Sequence, residues 1–370
     1  MTSDRWAEVD LSAIRYNCKN LISHCGSKAK LIAVVKADAY GHGAKQVACA
    51  ALAGGAHMVA VNTSTEALTL SADIPGDKIL MLGPFFEDDV RELVQKRVVF
   101  SCFDMERLLL LEAATKGVAA RTRLHVKVDT GMSRYGANYD EALKICEYVA
   151  NSLYLELDGV YTHFATADLD DDSYCREQFH VFKRFLSDLE SKGIRPRIRH
   201  CANTAAAIRF PEMVLDGIRC GIAVYGYTPC KPRAGLELKP ALSVRARVGM
   251  IKNIAAGTGV GYGRTWIATK ERRIATITMG YADGVSWSRS NKGFVIIQGR
   301  KAPLIGRVSM DAISVDISEI EGVKVGDVVT LIGEDNGERI WADEVAQWSG
   351  TIVYEVLTSL GSRVLRIYKN

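Results

Sequence analysis

Residues 31–43 read LIAVVKADAYGHG. The first half is a short β-branched apolar run of the kind that fills a strand covered on both faces, and it ends in Lys36 and a glycine-punctuated turn. Working outward, comparable runs recur at 58–63 (MVAVNT), 78–83 (KILMLG), 98–103 (VVFSCF), 123–129 (RLHVKVD), 157–164 (LDGVYTHF), 197–202 (RIRHCA) and 217–225 (GIRCGIAVY). Segments of helical composition lie between them, at 43–52, 87–95, 104–114, 141–150 and 175–191. Eight strand and helix units in about 200 residues are the count of a parallel (β/α)8 barrel, whose active site lies at the C-terminal ends of its strands.

Beyond Pro229-Cys230-Lys231-Pro232-Arg233 the pattern changes to stretches that alternate apolar and polar residues between glycine turns, at 243–251, 273–279, 294–298, 312–317 and 328–332. The chain therefore divides into an N-terminal barrel, residues 1–235, and a mainly β domain, residues 236–370, with one late helix at 341–349. Residues 6–11 (WAEVDL) form a further strand ahead of the barrel, and residues 1–11 are candidates to pair with the second domain.

Composition narrows the function. The 370 residues are 48% hydrophobic and 24% charged, an ordinary globular balance, and 47 Lys and Arg against 43 Asp and Glu leave a net charge of only +4. That is too small a surplus for a nucleic-acid or membrane partner, so a small-molecule substrate is expected. Nine cysteines without a C-x-x-C pair fit reduced thiols in a cytoplasmic protein and suggest no metal site. Charged residues break any signal-like core in the first twenty positions, and no apolar run is long enough to span a bilayer.

Lys36 is the first candidate for chemistry. A lysine in so apolar a run either reaches the barrel rim with its ammonium or is kept as an amine for reaction, because burial disfavours the charged form. Gly41 and Gly43 flank Tyr40 and His42, a composition that lets backbone approach a ligand closely. Tyr262, in Gly259-Val-Gly-Tyr-Gly-Arg264, is by itself either an exposed turn residue or a catalytic phenol. Arg219 and His163 similarly read either as structural side chains near strand ends or as site residues.

With these residues in view, the whole chain resembles the alanine racemase family. The resemblance runs in order through WAEVDL, VKADAYGHG, VKVDTGMSRYG, THFATAD, CANTAAAIRFP, IRCGIAVYG, GVGYGRTW, GYADG, GRVSMD and VYEV, from residue 6 to residue 356. It implies a pyridoxal 5'-phosphate enzyme with a barrel and a β domain, working as a head-to-tail homodimer whose active sites are shared across the interface. Lys36 would hold the cofactor's aldehyde and act as one base, and Tyr262 would be the second base on the opposite face of the substrate. Racemisation needs both, since a single base tends to return the same enantiomer.

The same resemblance implies that Arg219 contacts the pyridine nitrogen, with His163 as its partner. A permanently protonated guanidinium donates to that nitrogen and leaves it largely unprotonated, which weakens the electron sink and discourages side reactions. Phosphate binding falls to Tyr40, Thr204, Gly221, Ile222 and Tyr354, with threonine at 204 where the family more often has serine. Arg134 and the backbone N–H of Met310 would hold the substrate carboxylate, and Tyr281 and Asp311 would shape the entrance. Lys127 would share the site with Arg134, and carbamylation would turn that like-charge pair into an attractive one. Rival readings are a serine or broad-specificity racemase, a non-catalytic cofactor carrier and a decarboxylase of related fold. The carrier lacks the second domain and Tyr262, the decarboxylase's glycine-triplet phosphate loop is missing, and Tyr354 favours a small substrate. The resemblance implies a product that supplies either D-alanine for peptidoglycan or L-alanine for catabolism.

Overall fold

A computed structural model describes residues 3–231 and 235–370. Pro232 and Arg233, part of the expected change in character, lie outside the described residues. The chain separates into two compact units. One comprises Ala13–Ala39 and Ala44–Lys239, and the other takes the chain up to Ser12, the four residues Tyr40–Gly43, and Pro240–Asn370. The compact units divide at 239/240, four residues beyond the expected boundary at 235/236; residues 40–43 group with the second unit, as does the N-terminal segment, the candidate to pair with it.

In the first unit eight parallel strands close into a barrel. After the N-terminal strand β1 (Arg5–Asp10), these are β2 (Lys30–Val34), β3 (Met58–Val61), β4 (Ile79–Met81), β5 (Val99–Cys102), β6 (Thr122–Lys127), β7 (Leu155–Tyr161), β8 (Ile198–Asn203) and β9 (Gly217–Cys220). The barrel closes by β2 pairing with β9, with Ile32 opposite Arg219. Nearly every residue of these strands is buried, as expected where helices cover the outside and side chains fill the inside. Most are shorter at their C-terminal ends than the sequence suggested, so residues expected within strands stand in the following loops.

Four of the covering helices start where short polar side chains bond freed backbone N–H groups. Asp104 accepts from Arg107 N, Asn138 from Glu141 N and Asn203 from Ala206 N, and Thr63 and Glu66 form a reciprocal capping box. The longest helix, Ser173–Ser191, buries Phe179, Phe182, Phe185 and Leu189 along one side. Three helices absent from the sequence reading, Leu11–Cys25, Ser64–Ser71 and the short Thr204–Arg209, complete this layer.

The second unit is built on a nine-stranded sheet that opens with β1 and the long β10 (Leu242–Ile254). β1 lies between β10, antiparallel with Trp6 opposite Arg245, and the strand Leu365–Lys369, parallel with Trp6 opposite Leu365. β10 also pairs with Arg272–Ile277 and Val328–Asp335. The expected single late helix is two, Ala342–Ser349 and Val353–Thr358. Gly350, at φ 67°, ends the first in the left-handed conformation, which glycine adopts without a Cβ clash. Among the described residues no helix is long and apolar enough to cross a membrane.

Candidate active site

Because β2 ends at Val34, Lys36 stands two residues beyond the strand end rather than within the strand as expected. It opens a turn in which Ala37, Asp38, Ala39 and Tyr40 all have φ of 52–53°. Each non-glycine residue in that region costs roughly 1–2 kcal/mol, so the turn persists only because its surroundings hold it. Glu66 Oε1 accepts from Ala37 N at 2.6 Å, Ala39 N donates to Val35 O at 2.9 Å, and Asp38 Oδ1 accepts from Ala44 N at 2.8 Å. Glu66 is itself fixed, its other oxygen accepting from Asn62 N and Thr63 N. Lys36 is half-buried, and burial followed by the charge of Arg134 lowers its pKa, with Glu66 opposing. A larger fraction of it is therefore the neutral, nucleophilic amine than of a lysine in water.

Lys127, at the end of β6, is 6% exposed. Burial and the charges of Arg219 and Arg134 bring its pKa down to about 8, against a smaller opposing pull from Asp129. Its Nζ lies 5.7 Å from the ring centroid of Tyr135 and 5.8 Å from that of Tyr161. Arg134 follows in an exposed loop folded around Asp129, whose Oδ1 accepts from the backbone N–H of Gly131, Met132 and Ser133. That carboxylate is engaged by backbone donors, which leaves Lys36, Lys127, Arg134 and Arg219 as an excess of positive charge at this end of the barrel.

Arg219 is 4% exposed on β9. Its Nη2 donates to Thr162 O at 2.6 Å and stands 3.2 Å from His163 Nδ1, and its Nη1 lies 2.7 Å from His200 Nδ1. Burial and then the Arg219 charge hold His163 well below the usual histidine range. Next along the barrel end, Thr204 starts a short helix, and its hydroxyl accepts from Gly221 N at 3.1 Å. Gly221 precedes the 3-10 turn Ile222–Tyr225, whose first N–H groups lack intrahelical partners. A hydroxyl and free turn N–H groups beside surplus cations suit a phosphorylated, anionic group, and a lysine amine among them suits an aldehyde. Pyridoxal phosphate carries both functions, so the barrel residues fit it.

The remaining candidates belong to the other unit. Tyr40 is buried, which pushes its phenol up to about 12, and its ring centroid is 5.9 Å from that of Tyr354. Gly41 and Gly43 correct an expectation: they admit protein rather than ligand. A Cβ on Gly41 would lie 2.3 Å from Leu357 O, and one on Gly43 would lie 1.9 Å from the Tyr368 hydroxyl oxygen. Tyr262 is 72% exposed in a turn whose neighbours Gly261 and Gly263 both have φ of 69°. Space for a Cβ at Gly263 ends 3.4 Å away at the Arg307 guanidinium, so cations flank the phenol's turn. Tyr281 N donates to Ser309 O and Ala282 N to Met310 O, which joins the loop of Tyr281 to that of Met310 and Asp311. Arg363 bridges Asp311 and the buried Asp283, at 2.8 Å to each.

Sequence reasoning missed His200, His125 and Asp158, which continue inward from Arg219, and Glu66, which holds the Lys36 turn. Strand alternation contains the signal: His125 and Lys127 share a face of β6, as Gly159 and Tyr161 do on β7, and Tyr161 pairs with His200.

The family description "Alanine racemase, N-terminal domain" matches residues 9–229, and "Alanine racemase, C-terminal domain" matches residues 241–368. The chain is 40% identical to an alanine racemase of Desulfovibrio desulfuricans, over 98% of this chain and 97% of that protein. It is 41% identical to one of Desulforamulus reducens, over 98% of both. Its structure is similar to that of an alanine racemase of Clostridium difficile 630, with a TM-score of 0.93 and 32% identity, covering 100% of this chain and 96% of that one.

Proposed function

The chain belongs to the alanine racemase family, whose members depend on pyridoxal phosphate, and from that premise we propose that it interconverts L-alanine and D-alanine with this cofactor held on Lys36. The observation that carries the reading is the half-buried Lys36 amine, its pKa lowered by burial and by Arg134, at a barrel end that also holds Arg219 and Lys127. When bound, the cofactor supplies an electron sink that acidifies the α-proton of the attached amino acid.

The protein's own groups do the rest. Lys36 exchanges the α-proton on one face, and Tyr262 of a second copy exchanges it on the other; exposure of Tyr262 supports that role, because a phenol in contact with solvent is free to meet another chain. Arg134 and Met310 N–H fix the substrate carboxylate, and Lys127 as a carbamate orients Arg134. The depressed pKa of Lys127 supports carbamylation, which requires a neutral amine. Thr204, Gly221, Ile222, Tyr40 and Tyr354 hold phosphate, and Arg219 with His163 faces the ring nitrogen. Tyr281 and Asp311 restrict the entrance. The pair of copies is arranged head to tail in the cytoplasm, a compartment that suits nine free cysteines.

The test is proton NMR of L-alanine, and separately L-serine, in D2O with the cofactor-loaded protein and chiral analysis of the products. Loss of the α-proton signal with appearance of D-alanine is expected, faster than for serine. No exchange with either substrate, despite cofactor bound to Lys36, overturns the proposal in favour of a carrier.

A further inference from the structure

Arg219 is the upper end of a buried chain that runs across four adjacent barrel strands. Its Nη1 lies 2.7 Å from His200 Nδ1, His200 Nε2 lies 2.7 Å from His125 Nδ1, and His125 Nε2 lies 3.1 Å from Asp158 Oδ2. None of these four side chains is more than 4% exposed. The surrounding packing is specific to this arrangement. A Cβ at Gly159 would lie 2.7–2.9 Å from His125 ring atoms, so only glycine leaves room for that ring. The Tyr161 ring stacks on His200 at 4.8 Å and 6°.

Elementary donor chemistry fixes every proton in the chain. A guanidinium only donates, so His200 Nδ1 accepts. Neither ring is an imidazolium: a proton on His200 Nδ1 would face the guanidinium, and one on His125 Nδ1 would face the proton on His200 Nε2. Burial lowers both pKa values in the same direction, opposed at His125 by Asp158. The single proton of His200 is then on Nε2 and donates to His125 Nδ1. The proton of His125 is consequently on its Nε2 and donates to Asp158. The opposite order would require both nitrogens of His200 to accept, leaving that ring without a proton. Asp158 is an anion; burial opposes this, but bonds from His125 and from Arg123, whose Nη2 is 2.6 Å away, hold its carboxyl well below the usual carboxylate range.

We propose that His200, His125 and Asp158 are positioning residues that form a proton-ordered relay from the carboxylate to Arg219 and set how strongly Arg219 donates to the ligand in front of it. No proton moves along the relay. Its effect is polarisation: an anion at the far end makes His200 Nδ1 a better acceptor, and a guanidinium that gives one N–H to a strong acceptor is a weaker donor through the others. The barrel interior thereby keeps the bond from Arg219 to a ring nitrogen weak. This rests on the reading that Arg219 faces the cofactor, whereas the proton order does not.

The experiment is 15N NMR of the histidine rings in apo and cofactor-loaded protein, assigned through single variants, together with steady-state kinetics of Asp158→Asn and Arg123→Gln. The relay predicts that His125 and His200 are both protonated at Nε2 and bare at Nδ1 between pH 6 and 9. In Asp158→Asn, which keeps an acceptor but removes the charge, the His200 Nδ1 signal shifts and kcat changes by about tenfold, the equivalent of one unit of acidity at Arg219, while KM for alanine stays within about twofold. Arg123→Gln breaks the ion pair but keeps the carboxylate, so it lowers thermal stability and leaves both tautomers and kcat in place. A proton on Nδ1 of either ring, an imidazolium in that range, or an unshifted His200 in Asp158→Asn overturns the relay. Correct tautomers in a protein that racemises nothing leave the proton order standing and overturn the reading of function alone.

Discussion

The two units hold their candidate residues in opposite ways. In the barrel, Lys127 and Arg219 are buried, and hydrogen bonds or neighbouring cations constrain them from several sides. In the β unit, Tyr262, Tyr281 and Met310 stand 72, 45 and 52% exposed on loops bordered by glycines. The contrast teaches where reactivity is set. Barrel groups owe their altered proton affinity to burial and to one another, whereas the exposed groups contribute through position on a loop and require a second surface to become part of a dry site.

The comparison can be broken most directly at Lys36. Lys36→Ala should remove covalently held cofactor and reduce racemisation by at least ~10³-fold, as for a nucleophile that carries the reaction, read from the absorption spectrum and chiral turnover. Next, Tyr262→Phe should retain bound cofactor but lower the rate in both directions by about 10²- to 10⁴-fold, the range for a positioned general acid or base. Near-normal rates in both directions would remove it from the chemistry.

The buried side of the contrast is sharpened by pH. Lys127 has its folded pKa lowered to about 8, so between there and its unfolded value the unfolded chain binds more protons, and the stability of the apo protein should rise with pH through that window. In bicarbonate-free buffer Lys127→Met should be more stable than the parent below pH 8, by up to ~3 kcal/mol, and the gap should close toward pH ~10.4. A gap that is flat with pH would show that Lys127 is not desolvated. Smaller still, Gly41→Ala should cost about 2–3 kcal/mol through its φ of 79° and the contact with Leu357 O, measured as a lower melting temperature. Last, Thr204→Val should weaken cofactor binding about tenfold, while Thr204→Ser leaves it unchanged, by titration of the apo protein.

How much of this was legible in the sequence follows the same divide. The eight apolar runs marked the barrel strands because a strand covered on both faces has to be almost wholly apolar, and Lys36 stood out as the exception. The left-handed turn after it was not legible: Ala37, Asp38, Ala39 and Tyr40 carry no glycine, and their conformation depends on Glu66, which lies some thirty positions later. Gly41 and Gly43 misled for a related reason, since a glycine announces close approach without saying to what. His200 and His125 were hidden because a histidine in a buried strand looks like core until strand register joins it to its neighbours. The exposed residues rested on the family resemblance, because a tyrosine between glycines has no local pattern that separates a turn from a site.

The placement of β1 bears on synthesis. Its two neighbours in the sheet are β10, which begins at Leu242, and Leu365–Lys369, at the other end of the chain. β1 leaves the ribosome ahead of both partners and therefore waits while the whole barrel is made, an interval on the order of ten to fifty seconds at ordinary elongation rates. Throughout that wait both of its edges offer unpaired backbone to other nascent chains. Charged Arg5, Glu8 and Asp10, distributed along the six residues of RWAEVD, oppose such pairing, so the N-terminal charges serve the chain before there is a fold for them to stabilise.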